Sequence, residues 1–209
     1  MEAGYGQWGL AMQDDITAGV DAMIERGIAD PKRVCIYGAS YGGYAALWGL
    51  VKTPDLYRCG ISFAGVADIE FMFSDWSDRN SDKVVREILR ARVGDVLLSK
   101  AQFDQVSPLK HADQIKAPVL LMHGDKDERV PISHSKKMMQ ALDANKKTYE
   151  WHEFVDEGHG LSDGASQQVF LEKLLGFLDK YIAPEKAAMK PGDSNSRDTS
   201  VSSGGEQKK

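Results

Sequence analysis

Four short apolar runs, separated by helix-compatible stretches, mark this chain as an α/β domain with a mainly parallel sheet flanked by helices. The runs lie at residues 34–37, 59–64, 118–122 and 148–154. The first three are nearly continuous in apolar residues, as strands covered on both faces read. The fourth, Thr148-Tyr149-Glu150-Trp151-His152-Glu153-Phe154, alternates like a partly exposed edge strand. Strands joined through helices imply right-handed crossovers, which bring every strand's C-terminal end to one rim.

The connecting elements follow from their periodicity. Residues 10–27 suit a helix, because Met12, Ile16, Val20, Met23 and Ile24 recur at three- and four-residue steps and Gly27 can end it. Asp30-Pro31-Lys32-Arg33 then reads as a turn into the first strand. A helix over 44–50 leaves that strand, and a less regular insertion over 66–110 carries a helical piece around 84–93. A further helix fits 132–144. The last places Phe170, Leu174, Phe177, Leu178 and Tyr181 on one stripe. From Pro184 the chain turns polar and low in complexity, so the expected organisation is one domain over 1–183 and a disordered polar tail over 184–209.

Composition narrows the partners. A 209-residue chain with 42% apolar residues and four tryptophans can build one substantial core. Its formal charge of −5 and lack of a basic cluster argue against nucleic acid as a partner. No apolar run is long enough for a membrane span, and Met1-Glu2-Ala3-Gly4 has no signal character. Cys35 and Cys59 fall in expected buried strands and read as free, inert core thiols, compatible with a reducing compartment. That weights the compartment towards the cytoplasm, with a periplasmic or secreted parent left open.

The chemistry concentrates at the strand ends. Gly38-Ala39-Ser40-Tyr41-Gly42 is a G-x-S-x-G pentapeptide between a strand and a helix, the context in which it presents a serine nucleophile. Both glycines suit a turn too crowded for side chains, and the following helix offers its N-terminal N–H groups to developing negative charge. Asp127 and His159 follow the third and fourth strands, beyond the ends where ligands of such sheets bind. A serine hydroxyl needs a base, and His159, between two glycines, can take its proton and return it to a leaving group. A carboxylate would fix the imidazole tautomer, and the spacing leaves both Asp127 and Asp125 open for that part. The Tyr41 N–H would be one oxyanion donor. His123 reads as a hydrogen-bonded structural histidine at a strand end. A zinc site from His123, Asp125, Asp127 and His159 lacks any H-E-x-x-H or cysteine pairing, so neither metal nor cofactor is expected.

Three motifs together resemble one family: Gly38-Ala39-Ser40-Tyr41-Gly42-Gly43-Tyr44, then His123-Gly124-Asp125-Lys126-Asp127-Glu128-Arg129-Val130-Pro131, then Glu157-Gly158-His159-Gly160. With Trp8-Gly9-Leu10-Ala11-Met12-Gln13-Asp14-Asp15 and Ala29-Asp30-Pro31-Lys32-Arg33-Val34, they are similar to the catalytic domain of the prolyl oligopeptidase family of serine peptidases over about residues 4–182. The acylaminoacyl-peptidase and dipeptidyl-peptidase branches are the most similar. The resemblance implies the C-terminal portion of an α/β-hydrolase fold, with Ser40 as nucleophile, His159 as base and Asp127, rather than Asp125, as the acid. It implies short peptides as substrates, with an esterase-like hydrolase as the alternative. It also implies a pocket for the residue before the scissile bond, with Tyr41, Val66, Ile69, Phe71, Met72 and Arg129 as candidates. The family's early strands, its second oxyanion donor and its β-propeller have no counterpart in the sequence. The expectation is therefore a truncated catalytic domain, weak alone and able to associate with a second copy through the open edge of the Ser40 strand.

Overall fold

The computed structural model describes residues 2–79, 87, 90–94 and 96–184. The polar tail beyond residue 184 and half of the helical piece around 84–93 lie outside the described residues. Among the described residues four strands form one parallel sheet in chain order: β1 (Cys35–Ala39), β2 (Cys59–Phe63), β3 (Val119–Gly124) and β4 (Tyr149–Phe154). The register pairs Ala39 with Phe63, Phe63 with Met122, and Gly124 with Phe154, so the C-terminal ends line up on one rim. Among the described residues β1 and β4 border the sheet, and β4 is mostly half-buried, as its alternating sequence predicts.

Among the described residues the longer helices are α1 (Ala11–Glu25), α2 (Tyr41–Lys52), α3 (Ile69–Arg79), α4 (Val96–Gln105), α5 (Ser133–Ala144) and α6 (Gly164–Ile182). A 3-10 segment at Pro108–Gln114 precedes β3. Alternation along β3 divides the core between the two faces. Val119 and Leu121 join α2, α5 and the 3-10 segment on one side, while Leu120 and Met122 meet Phe177 of α6 on the other. The helix after Ser40 is buried all round, from Gly43 to Val51, which its unbroken run of small and apolar residues permits. Each large side chain it buries, such as Leu47 or Leu50, contributes about 1.5–3 kcal/mol. On α1, by contrast, Met23 is exposed and the one buried residue is polar: Gln13, against Gly49 and beside Tyr57. No helix among the described residues is long and apolar enough to cross a membrane.

The cysteines correct the sequence reading. Cys35 and Cys59 are not free thiols but form a disulfide between β1 and β2. They are direct partners in the strand register, with Cα atoms 4.7 Å apart, close enough for a bridge. That proximity is created by strand pairing across a separation of 24 residues, which nothing local in the sequence announces. With both thiols bonded, the cysteines no longer argue for a reducing compartment.

Candidate active site

The sequence around Ser40 folds into a tight strand-to-helix turn. Ser40 has φ 57° and ψ −119°, a positive-φ conformation that costs a serine about 1–3 kcal/mol and persists only where its surroundings impose it. The Ser40 N–H donates to Phe63 O at 2.9 Å, and the Tyr44 N–H donates to Ser40 O at 3.1 Å, so β2 and the first turn of α2 supply that constraint. Crowding does not explain both glycines of the pentapeptide. A Cβ on Gly38 would strike the Gly42 backbone, whereas one on Gly42 would point into open space. Gly38 is thus required by the close passage of Gly42, and Gly42 is not itself crowded.

Asp127 lies on the turn after β3, with its side chain fully buried. Oδ1 accepts the N–H groups of Arg129 and Val130, each at 2.9 Å. Oδ2 accepts His159 Nδ1–H at 2.7 Å and is 3.2 Å from His123 Nε2. Burial alone would raise this carboxyl's pKa. The hydrogen bonds from His123, His159 and the Val130 and Arg129 amides outweigh it and keep the group ionised far below the usual carboxylate range. Asp125, the alternative left open by spacing, makes no hydrogen bond to His159; its N–H donates to Phe154 O instead, at 3.0 Å.

His159 lies on the loop after β4. Because Nδ1–H donates to Asp127, Nε2 is the acceptor, and the Ser40 hydroxyl donates to it at 2.9 Å. Two features seat this loop. The backbones of residues 157–158 pass so close to Gly124 that a Cβ there would collide with the carbonyls of Glu157 and Gly158. Glu157 itself is buried and accepts from Ser162 N–H at 2.8 Å, Ser162 Oγ–H at 3.0 Å and Asp163 N–H at 2.9 Å. The Ser162 and Asp163 amides lower its carboxyl from the ordinary 4.5 to about 2. Sequence reasoning noticed Glu157 only as part of a motif and did not find this closure. The nearest signal, a glutamate five residues before a serine, is too common to have revealed it.

The expected pocket residues fall into two groups. Val66, Ile69 and Met72 are at most 5% exposed and belong to the main core. Arg129 is exposed and Phe71 partly so, with the Lys137 ammonium 3.3 Å from its ring centre and the His134 ring at 4.8 Å. Tyr41 is half-buried, its ring 4.6 Å from Trp8 and its hydroxyl near Met12 Sδ at 3.8 Å. Among the described residues no group of three or more His, Cys, Asp and Glu could hold a metal ion.

A parallel sheet carrying a serine on a strained elbow, an acid after the next-to-last strand and a histidine after the last defines an α/β-hydrolase. The model of the prolyl oligopeptidase family matches residues 1–185, and the chain belongs to that family of peptidases. It is 34% identical over 186 residues to a dipeptidyl aminopeptidase BIII of Pseudoxanthomonas mexicana, covering 86% of this chain and 26% of that protein. An acylamino-acid-releasing enzyme of Arabidopsis thaliana is 30% identical over 185 residues, covering 84% and 23% respectively. A puromycin-hydrolyzing peptidase of Mycobacterium tuberculosis superposes with a TM-score of 0.81 at 29% identity, covering 88% of this chain and 27% of that one. The chain thus spans about a quarter of the length of these relatives.

Proposed function

We propose that this chain carries the acyl-transfer machinery of a serine peptidase acting on short peptides. The observation behind this reading is the continuous hydrogen-bonded line from Ser40 Oγ through the His159 ring to Asp127 Oδ2. In the proposed reaction Ser40 Oγ attacks the scissile carbonyl while His159 Nε2 takes its proton. Asp127 keeps the tautomer and stabilises the imidazolium. The imidazolium then protonates the leaving amine, and a water activated by the same ring cleaves the acyl-serine ester, regenerating Ser40. Acid–base help of this kind contributes a factor of roughly 10²–10⁴.

The Tyr41 N–H, first in α2 and without a helical acceptor, supplies one donor to the oxyanion. Such a donor stabilises the transition state by about 2.7–4 kcal/mol. The names of the relatives suggest substrates recognised near a peptide N-terminus: dipeptides leaving a free amine end, or acylated residues.

The test is labelling by a fluorophosphonate, followed by hydrolysis of dipeptidyl and acylaminoacyl nitroanilides. Wild type should label and Ser40→Ala should not. A wild-type chain that does not label, or a Ser40→Ala chain that still does, removes the nucleophile. Turnover of p-nitrophenyl acetate with no nitroanilide cleavage would replace the peptidase by an esterase.

A further inference from the structure

The Asp127 carboxylate serves two imidazoles. His123, the penultimate residue of β3, is fully buried. Its Nε2 lies 2.8 Å from Val130 O and 3.2 Å from Asp127 Oδ2, and its Nδ1 lies 2.7 Å from Ser135 Oγ near the start of α5. A carbonyl and a carboxylate can only accept, so Nε2 carries the hydrogen and divides it between them. In the tautomer with its hydrogen on Nε2, Nδ1 accepts the Ser135 hydroxyl, which completes the hydrogen bonding of the ring. The oxygen that takes the His159 proton bond therefore takes a second one, from the side of the core.

Resting on the reading of Ser40, His159 and Asp127 given above, we propose that His123 is a positioning residue for the reaction. Its Nε2–H fixes the Asp127 Oδ2 lone pairs, so that the acceptor left for His159 points along the line to Ser40. The logic is geometric. The Arg129 and Val130 amides pin Oδ1 alone, and a carboxylate held at one oxygen can still rotate the other. His123 closes that freedom with a second donor to Oδ2. Ser135 fixes the His123 ring in turn, which makes a chain of five groups running from the Ser40 hydroxyl at the rim to the N-terminal turn of α5. A buried histidine kept only for packing would not need a carboxylate already supplied with three donors.

The test compares the 209-residue wild-type chain, His123→Leu, His123→Gln and Ser40→Ala. Fluorophosphonate labelling is read first. The imidazole ¹H–¹⁵N spectrum is read second, where five histidines leave the hydrogen-bonded Nδ1–H of His159 assignable. His123→Leu should label roughly tenfold to a hundredfold more slowly, the size of effect expected when a reacting group is misplaced by about an ångström. It should also lose or shift upfield the His159 Nδ1–H signal. His123→Gln, whose amide can place an N–H near the ε position, should recover much of both.

Wild-type labelling and an unchanged His159 signal in His123→Leu would overturn the proposal. So would a His123→Gln chain as impaired as His123→Leu, since ring shape and not the donor would then matter. If His123→Leu does not fold by circular dichroism, Ser135→Ala, which frees the ring, should slow labelling and broaden the same signal; no change there would count against His123. An unlabelled wild type would sink the nucleophile reading alone, because the His159 resonance reports on His123 without any catalysis.

Discussion

The serine and the histidine reach each other from two regions built on different principles. The Ser40 side is an elbow made by backbone: a strained φ, a glycine under which the chain doubles back, a helix buried on every face and a disulfide joining β1 to β2. The His159 side is a loop seated by side chains: a buried glutamate closing on two amides and a hydroxyl, and an aspartate taking four donors. Backbone sterics fix the Ser40 hydroxyl whatever the charge state. Hydrogen bonds to carboxylates fix the His159 ring, so its placement depends on ionisation. The two halves should therefore fail differently.

The largest effect belongs to the charge. Asp127→Asn keeps the size of the side chain but removes the carboxylate and the tautomer it selects, and labelling should fall by roughly 10³–10⁴ while thermal unfolding shows a folded chain. A drop of less than about tenfold would mean that the loop is positioned without it. Next comes the junction between the halves. Gly124→Ala puts a Cβ against the Glu157 and Gly158 carbonyls, so the loop must move. Labelling should drop by roughly 10² and stability by about 1–3 kcal/mol, read by denaturant unfolding.

On the elbow side, reducing the Cys35–Cys59 bridge removes a link across 24 residues, worth about 3 kcal/mol in the chain-entropy description. The melting temperature should fall by several degrees while labelling at room temperature stays as in the oxidised chain, because the turn itself is steric. Lost labelling in a still-folded reduced chain would contradict that division. The smallest effect is Glu157→Gln. The folded carboxyl is depressed from 4.5 to about 2, so its stabilisation is fully present above pH 4.5 and is lost as pH falls towards 2. Wild type should melt above the variant at neutral pH, and the gap should close across that window. A gap independent of pH would show that the contact is one of shape and not of charge.

The elbow was readable in the sequence because its causes are local. An apolar run, a G-x-S-x-G and a run of small and apolar residues are contiguous, and β1 with α2 follows from them within a few residues. The four strands and their parallel arrangement were readable for a similar reason, since apolar runs alternate with helical periods along the chain. What misled was also local reasoning. Gly42 looks as crowded as Gly38 when only the motif is considered, and the α1 stripe gave no sign that its buried residue would be Gln13. The choice between Asp125 and Asp127 required the resemblance, because two carboxylates two positions apart are equivalent to any spacing rule.

By itself the sequence determined which polar groups stand at the strand ends and on which rim of the sheet they emerge, since hydrophobic period and turn chemistry act over neighbouring residues. Only the tertiary structure decided which atoms meet. It joined Cys35 to Cys59, gave Asp127 rather than Asp125 to His159, and brought His123 to the same oxygen. Each of those contacts depends on strand register and loop closure, which set distances between residues that the chain itself leaves far apart.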